Sequence, residues 1–249
     1  MSAVIGSRGT LFCVAAAALL AGCGGSQPPI GAPGVMSQMR LSGSTRATGL
    51  RNLTSSYQVL FRFGRHPNPG HDIGGADPEG LIAVGGELYG TTAAGGYHDF
   101  GTVYSMSTVG AKKVLHRFDS GSYGPSDGVN PVGSLIEVKS LLYGVTVVGG
   151  KCGSGSVYSI STTGTETILH SFCGSDGIQP LTGLVNVSGT LYGTTQYGAS
   201  GSNWGTVYSV TTSGTFKTLY TFTDSPDGAE PAAPLLNVKG TLYGTTAYG

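Results

Sequence analysis

From about residue 57 onward, apolar and polar positions alternate in short runs, and glycine-containing turns separate the runs. The clearest run is Leu88-Tyr89-Gly90-Thr91-Thr92. It returns as Leu142-Tyr143-Gly144-Val145-Thr146, as Leu191 to Thr195 and as Leu242 to Thr246, at steps of 54, 49 and 51 residues. Three companion runs keep a fixed order around it. Leu81-Ile82-Ala83-Val84 precedes it, and Gly101-Thr102-Val103-Tyr104-Ser105 and Val114-Leu115-His116-Arg117-Phe118 follow it. An extra copy of the last run, Val59-Leu60-Phe61-Arg62-Phe63, stands ahead of the first full unit. β-branched and aromatic residues fill these runs, which predicts strands. No stretch sustains the 3.6-residue apolar period of a helix.

Four short strands, here called a, b, c and d, recur about every 50 residues, the size of a β-propeller blade. The expected fold is all-β: a propeller-like array of four-stranded antiparallel blades. The count is one d, three complete units, then an a and a b ending at Gly249, or about 3.5 to 4 blades. A strand c is missing between the last b and the first d. Truncation, irregular closure and association through open edges are the three explanations. Truncation is preferred, because an exposed strand edge invites aggregation.

The connections sort into two kinds. From the Val that ends strand a to the Leu that opens b is 4 residues in every unit. Gly85-Gly86, Ser188-Gly189 and Lys239-Gly240 there suit a two-residue hairpin turn. From the Ser of strand c to the Phe of strand d is 13 residues each time, whereas b to c runs 9, 9 and 10, and d to the next a runs 18, 17, 12 and 13. In a meander the b–c and d–a loops share one end of the sheets, so all length variation falls on one face. Loops that differ on a constant scaffold are where function is expected.

Composition narrows the class. The chain has 249 residues, 10% charged, 39% hydrophobic, with 44 glycines and a formal net charge of zero. It is too apolar for simple disorder and too glycine-rich for a helical protein. With no basic excess, no nucleic-acid partner is expected.

The first residues read as an export signal: Arg8, then an apolar core from Leu11 to Leu20, too short for a permanent span. Leu20-Ala21-Gly22-Cys23 resembles the bacterial lipoprotein lipobox. The resemblance implies cleavage before Cys23, lipidation of that residue and a membrane partner reached through it. Gly24 follows in place of Asp, so the family's inner-membrane retention signal is absent and the outer membrane or cell surface is favoured. Residues 1–22 are therefore assigned to the signal, 23–56 to a Gly/Ser/Pro-rich tether and 57–249 to the repeat domain.

Cys152 and Cys173 remain in the exported domain, just before strand c and just after strand d of one unit. Antiparallel pairing of those strands brings the two together, and export permits a disulfide. A metal pair is the alternative, without a matching set of His or Cys around it. His116 and His170 occupy a strand-d position that holds Phe61 and Tyr220 elsewhere, which marks a packing slot. His66, His71 and His98 fall on variable loops, with no recognised metal spacing. Asp127-Gly128, Asp176-Gly177 and Asp227-Gly228, each ahead of a Pro, read as Asx-type turns leading into strand a. No catalytic or cofactor motif is present. The in-phase tyrosines of strands b and c read as packing between blades. Tyr97, Tyr123, Tyr197 and Trp204 lie off the strand pattern and are the candidates for stacking on a glycan or peptide.

With Leu-Tyr-Gly-Thr-Thr, Gly-Thr-Val-Tyr-Ser and Asp-Gly-x-x-Pro all in order, the chain resembles the GloVer tandem-repeat proteins from about residue 57 to the end. These are bacterial surface or secreted proteins that join one repeat array to varied anchors. The resemblance implies an exported, propeller-like protein and brings no reaction, cofactor or catalytic residue. The leading expectation is a noncatalytic binding or scaffold module with an unknown ligand. An exported propeller enzyme acting on glycans and a purely structural envelope protein are the alternatives.

Overall fold

The computed structural model of the chain describes residues 2–5, 11–14, 58–64, 74–118, 127–198, 204–223 and 226–249, the first two stretches as backbone alone. Met1–Ala16 and Leu60–Gly249 form one unit, which holds all the strands, and Ala17–Val59 is set apart as a second. Cys23, the tether, His66, His71 and Tyr123 lie outside the described residues.

In chain order the strands are β1 Ser2–Ile5, β2 Leu11–Val14, β3 Ala76–Val84, β4 Glu87–Ala94, β5 Thr102–Met106 and β6 Lys112–Arg117. Next come β7 Val129–Val138, β8 Leu141–Val148, β9 Ser156–Ser161, β10 Glu166–Ser171, β11 Val185–Val187, β12 Thr190–Thr195, β13 Thr206–Thr211 and β14 Phe216–Thr221. The last three are β15 Ala229–Pro231, β16 Leu236–Val238 and β17 Thr241–Tyr248. Among the described residues there is no helix.

The fold is the expected all-β array of antiparallel blades, propeller-like in arrangement. Blade 1 is β3-β4-β5-β6, blade 2 is β7-β8-β9-β10 and blade 3 is β11-β12-β13-β14. In blade 4, β15 and β16 are two pieces of one strand a on β17, and β1 and β2 extend that sheet. Thus β1 and β2 stand where the other blades have c and d, although residues 1–22 read as a cleaved signal. The a–b hairpins have two-residue turns with positive φ at both positions, 52° and 66° at Lys139-Ser140 for example. That geometry matches the twist of the flanking strands. A strand-a side chain caps the turn: Asn186 Oδ1 accepts from Gly189 N at 2.8 Å, and Asn237 Oδ1 from Gly240 N at 2.9 Å.

Two expectations need correction. Residues 58–64 form no strand. A ladder needs a partner, and among the described residues no strand pairs with this copy of d. Leu60 nevertheless lies against Gly110 as Leu115 lies against Gly164, so the segment occupies the strand-d place ahead of blade 1. Its Phe63 ring meets Tyr104 at 5.1 Å. The second correction concerns Asp-Gly-x-x-Pro, whose proline lies inside strand a in blades 2 and 4, as Pro78 does in blade 1, whereas Pro180 of blade 3 lies ahead of its strand. Pro78 pairs with Thr92, Pro131 with Thr146 and Pro231 with Thr246, and a register shift follows in β3 and β7. Proline is tolerated there because strand a is the edge of its sheet, where a missing N–H breaks no ladder bond.

Each letter of Leu-Tyr-Gly-Thr-Thr has a packing reason. Leu142 and Leu191 are fully buried. Tyr89 and Tyr143 belong to apolar clusters that join their blade to the next. The glycine lies across the ladder from the strand-c tyrosine: Gly90 from Tyr104, Gly144 from Tyr158, Gly193 from Tyr208. A Cβ on Gly144 would come 2.5 Å from Tyr158 Oη, so the bare glycine is what lets the ring lie down. That ring then meets the phenylalanine closing the preceding blade, Phe118 with Tyr158 at 5.2 Å and Phe172 with Tyr208 at 5.1 Å. The final threonine pairs with a strand-c hydroxyl in blades 1 to 3, Thr92–Thr102 and Thr146–Ser156 at 2.8 Å and Thr195–Thr206 at 2.7 Å, all buried. Each also donates to the carbonyl two residues on, so no buried hydroxyl is left without a partner in these pairs.

Candidate functional site

The b–c and d–a loops share one end of the sheets, and their roots are identical from blade to blade. The phenylalanine after strand d donates its N–H to the glycine before strand c: Phe118 to Gly101 at 3.1 Å, Phe172 to Gly155 at 2.9 Å and Phe222 to Gly205 at 3.0 Å. One residue earlier, the b–c loop is clasped by the next blade. Asn130 N donates to Phe100 O at 2.9 Å, Gln179 N to Ser154 O at 3.0 Å and Glu230 N to Trp204 O at 2.8 Å. These donors are non-glycine residues at φ 52–56°, directly before Pro131, Pro180 and Pro231. That conformation is uncommon for any L residue. Here it recurs because it aims the N–H at the neighbouring blade.

Behind the clasp, the strand-d slot is more than packing. Each strand d has a bulge at Leu115, Leu169 or Leu219, which re-aims the residue after it. His116 Nε2 then lies 3.1 Å from Asp127 Oδ2, and His170 Nε2 lies 2.6 Å from Asp176 Oδ2. Tyr220 Oη donates to Asp227 in the same way. The aspartates of Asp-Gly therefore hold the slot residue, besides making the expected turn contact, such as Cys173 N to Asp176 Oδ1 at 2.8 Å. The signal for this was in the chain. Where the slot holds Phe61, which cannot donate, the aspartate's place in the following loop is taken by Gly74.

The first residue of the next strand d completes the slot. Lys112 stands over Phe61 at 5.0 Å and donates to the Gly74 carbonyl. Phe216 stacks on His170 at 3.6 Å. Glu166 occupies the same place beside His116. Burial pushes its carboxyl up to about 7, His116 acting against that rise and Asp127 adding to it. Burial pushes His170 below the ordinary imidazole range, with the Asp176 hydrogen bond working the other way. Among the described residues no group of three His, Cys, Asp or Glu is placed to hold a metal.

The loops above these roots differ. In blade 2 Cys152 and Cys173 form a disulfide, Cα–Cα 5.0 Å, tying the b–c loop to the start of the d–a loop. In blade 1 the Tyr97 ring is 57% exposed and lies 5.1 Å from the Arg117 guanidinium at the end of strand d. His98 stands beside Phe100, ring centroids 5.9 Å apart. In blade 3 Tyr197 exchanges backbone hydrogen bonds with Ile178 at 2.9 and 3.1 Å, and Trp204 packs half-buried against a core cluster with Val207 and Phe222. Tyr197 and Trp204 share one loop, whereas Tyr97 belongs to a blade two units away. Of the described candidates, Tyr97 offers the most open face.

These features define a tandem-repeat protein whose blades are joined by uniform seams and end in unlike loops. The chain matches the model of the Gloeobacter/Verrucomicrobia repeat over residues 32–249 and belongs to that family. The match begins within the stretch assigned to the tether. No curated protein matches the chain.

Proposed function

We propose that this is an exported, lipid-anchored surface protein whose loop face binds a glycan or peptide and performs no chemistry. The observation that carries the reading is the contrast between uniform seams and individual loops, with Tyr97 presenting an exposed ring backed by Arg117. A ring held flat by a cation is a platform for the apolar face of a sugar or for a planar side chain. The titratable slot residues lie below the loops, engaged with one another, and their role is structural. Lipidation at Cys23 supplies the anchor, since two or three acyl chains hold a protein on a membrane stably. A glycan and peptide array screen of the purified protein tests the binding. Tyr97→Ala is expected to lower the signal at least about tenfold, and a signal indifferent to that change sinks the assignment. Palmitate labelling that survives Cys23→Ala would remove the anchor.

A further inference from the structure

The slot has the same plan at each seam, but the residue that closes it differs in kind. Between blades 2 and 3, Phe216 lies flat on His170 at 3.6 Å, with 6° between the ring planes, and Tyr208 stacks with it at 5.5 Å. Between blades 1 and 2 the equivalent place holds Glu166, across from Ile160 as Phe216 is across from Val210. Rings fill one seam and a carboxyl fills the other. Glu166 Oε1 is buried without a hydrogen-bond partner, and so is the Tyr158 hydroxyl. Such an oxygen is tolerable on a neutral acid and costly on an anion. The ionisable groups that face Glu166 are His116 of β6, Asp127 of the loop after β6 and Tyr158 of β9. Burial pushes the Tyr158 phenol up, so it remains a neutral hydroxyl. Asp127 is already engaged with His116 at 3.1 Å, and an ionised Glu166 sets a second carboxylate against the same imidazole. His116 is in turn joined to the loop face in two ways. Its ring meets Phe118 edge-on at 4.9 Å, and Phe118 N–H anchors Gly101 at the root of the b–c loop. The next residue along β6 is Arg117, whose guanidinium backs the Tyr97 ring.

We propose that Glu166 is a proton-operated lock on the Tyr97–Arg117 platform, so that binding on the loop face of blade 1 is linked to pH. With Glu166 protonated, Asp127 has His116 to itself, and β6 and the loop root are held in one arrangement. Loss of the proton leaves a buried anion without a donor. The seam relieves it by turning His116 away from Asp127 or by opening to water, and either change is carried to the loop through Phe118 and Arg117. Burial is what favours the protonated form, so the lock is closed at acidic pH and released as pH rises through about 7. A ligand that needs the closed platform must raise the proton affinity of Glu166 by the factor by which the proton raises its own. That the platform binds a ligand rests on the reading proposed above, whereas the lock itself does not.

The test needs no ligand. The full chain carries 4-fluorophenylalanine in place of Tyr97, a ring that cannot ionise, and is followed by fluorine NMR from about pH 5 to about pH 9, which brackets the imidazole range and the raised carboxyl. The fluorine resonance is expected to shift with a midpoint at about 7. Glu166→Gln, an uncharged copy of the protonated side chain, is expected to abolish that shift. Glu166→Phe, which copies the ring closure between blades 2 and 3, should abolish it too, and His170→Phe in that neighbouring seam should leave it in place. A shift that persists in both Glu166 variants arises from another group and overturns the proposal, as does a resonance that does not move. The array screen is decided separately. A Glu166-dependent shift without any bound ligand fails the binding reading alone, and a Tyr97-dependent ligand without the shift fails the lock alone.

Discussion

Gly153 and Gly155 lie two residues apart in the b–c loop of blade 2, and alanine at each separates backbone strain from the seam. Both have positive φ, 78° and 102°. Alanine at Gly153 would meet nothing within 4 Å, so its cost is the conformational one alone, about 1–2 kcal/mol. Alanine at Gly155 would bring Cβ to 2.6 Å from Thr146 O, 2.7 Å from Pro180 Cδ and 2.9 Å from Val147 O. Two of those atoms are backbone and the third is a proline ring of the next blade, so none can swing aside. Overpacking of that kind adds about 1–3 kcal/mol, a large part of the roughly 5–15 kcal/mol typical of a domain. Urea denaturation followed by the fluorescence of Trp204, the one tryptophan, measures both variants. The midpoint of Gly155→Ala should fall well below that of Gly153→Ala. If the two fall together, the proline contact between blades has no energetic weight and the account of the seam is wrong.

Two further outcomes follow from the same region. The fold favours protonated Glu166, so between about 4.5 and about 7 the folded chain binds more protons than the unfolded one and stability falls as pH rises. Glu166→Gln should flatten that slope in urea midpoints taken across the window, and an unchanged slope would locate the dependence elsewhere. Replacing both Cys152 and Cys173 by Ser opens a loop with sequence separation 21, and is expected to cost about 3 kcal/mol in the chain-entropy model. Two free thiols in the unfolded, unreduced repeat domain 57–249, whose only cysteines are Cys152 and Cys173, would contradict the bridge.

The parts of the fold legible in the sequence are those that repeat within one unit. Period-2 runs gave the strands, the constant step from Val84 to Leu88 gave the two-residue hairpin, and the register of c against d brought Cys152 to Cys173. What stayed hidden depends on neighbours in different units. Phe61, His116, His170 and Tyr220 looked interchangeable as packing, because the aspartate that distinguishes them arrives 6 to 11 residues later and only the bulge turns the side chain toward it. Pro131 read as a turn residue, since proline seldom enters a strand, and only its place on a sheet edge makes the exception clear. For the candidate site, position off the strand pattern singled out Tyr97, Tyr197 and Trp204 alike. Sequence position does not report that Trp204 lends its carbonyl to the next blade while Tyr97 remains open.

The clasp between blades bears on how such a chain can grow and diversify. Every interior unit carries both halves: the proline that reaches back and the glycine that receives the next proline. Duplication or unequal crossing-over at equivalent positions therefore yields a gene whose every junction is already compatible. A loop can be exchanged between units provided that its own partner moves with it, Cys152 with Cys173 or a d–a aspartate with its strand-d residue. A substitution at Gly101 or Pro131, by contrast, is felt by two units at once, and it becomes harmless only if the opposite half changes with it. Under such a constraint the joints stay alike while the loops diverge, so a comparison of the units within this one chain already separates the shared frame from the surface on which each unit is individual.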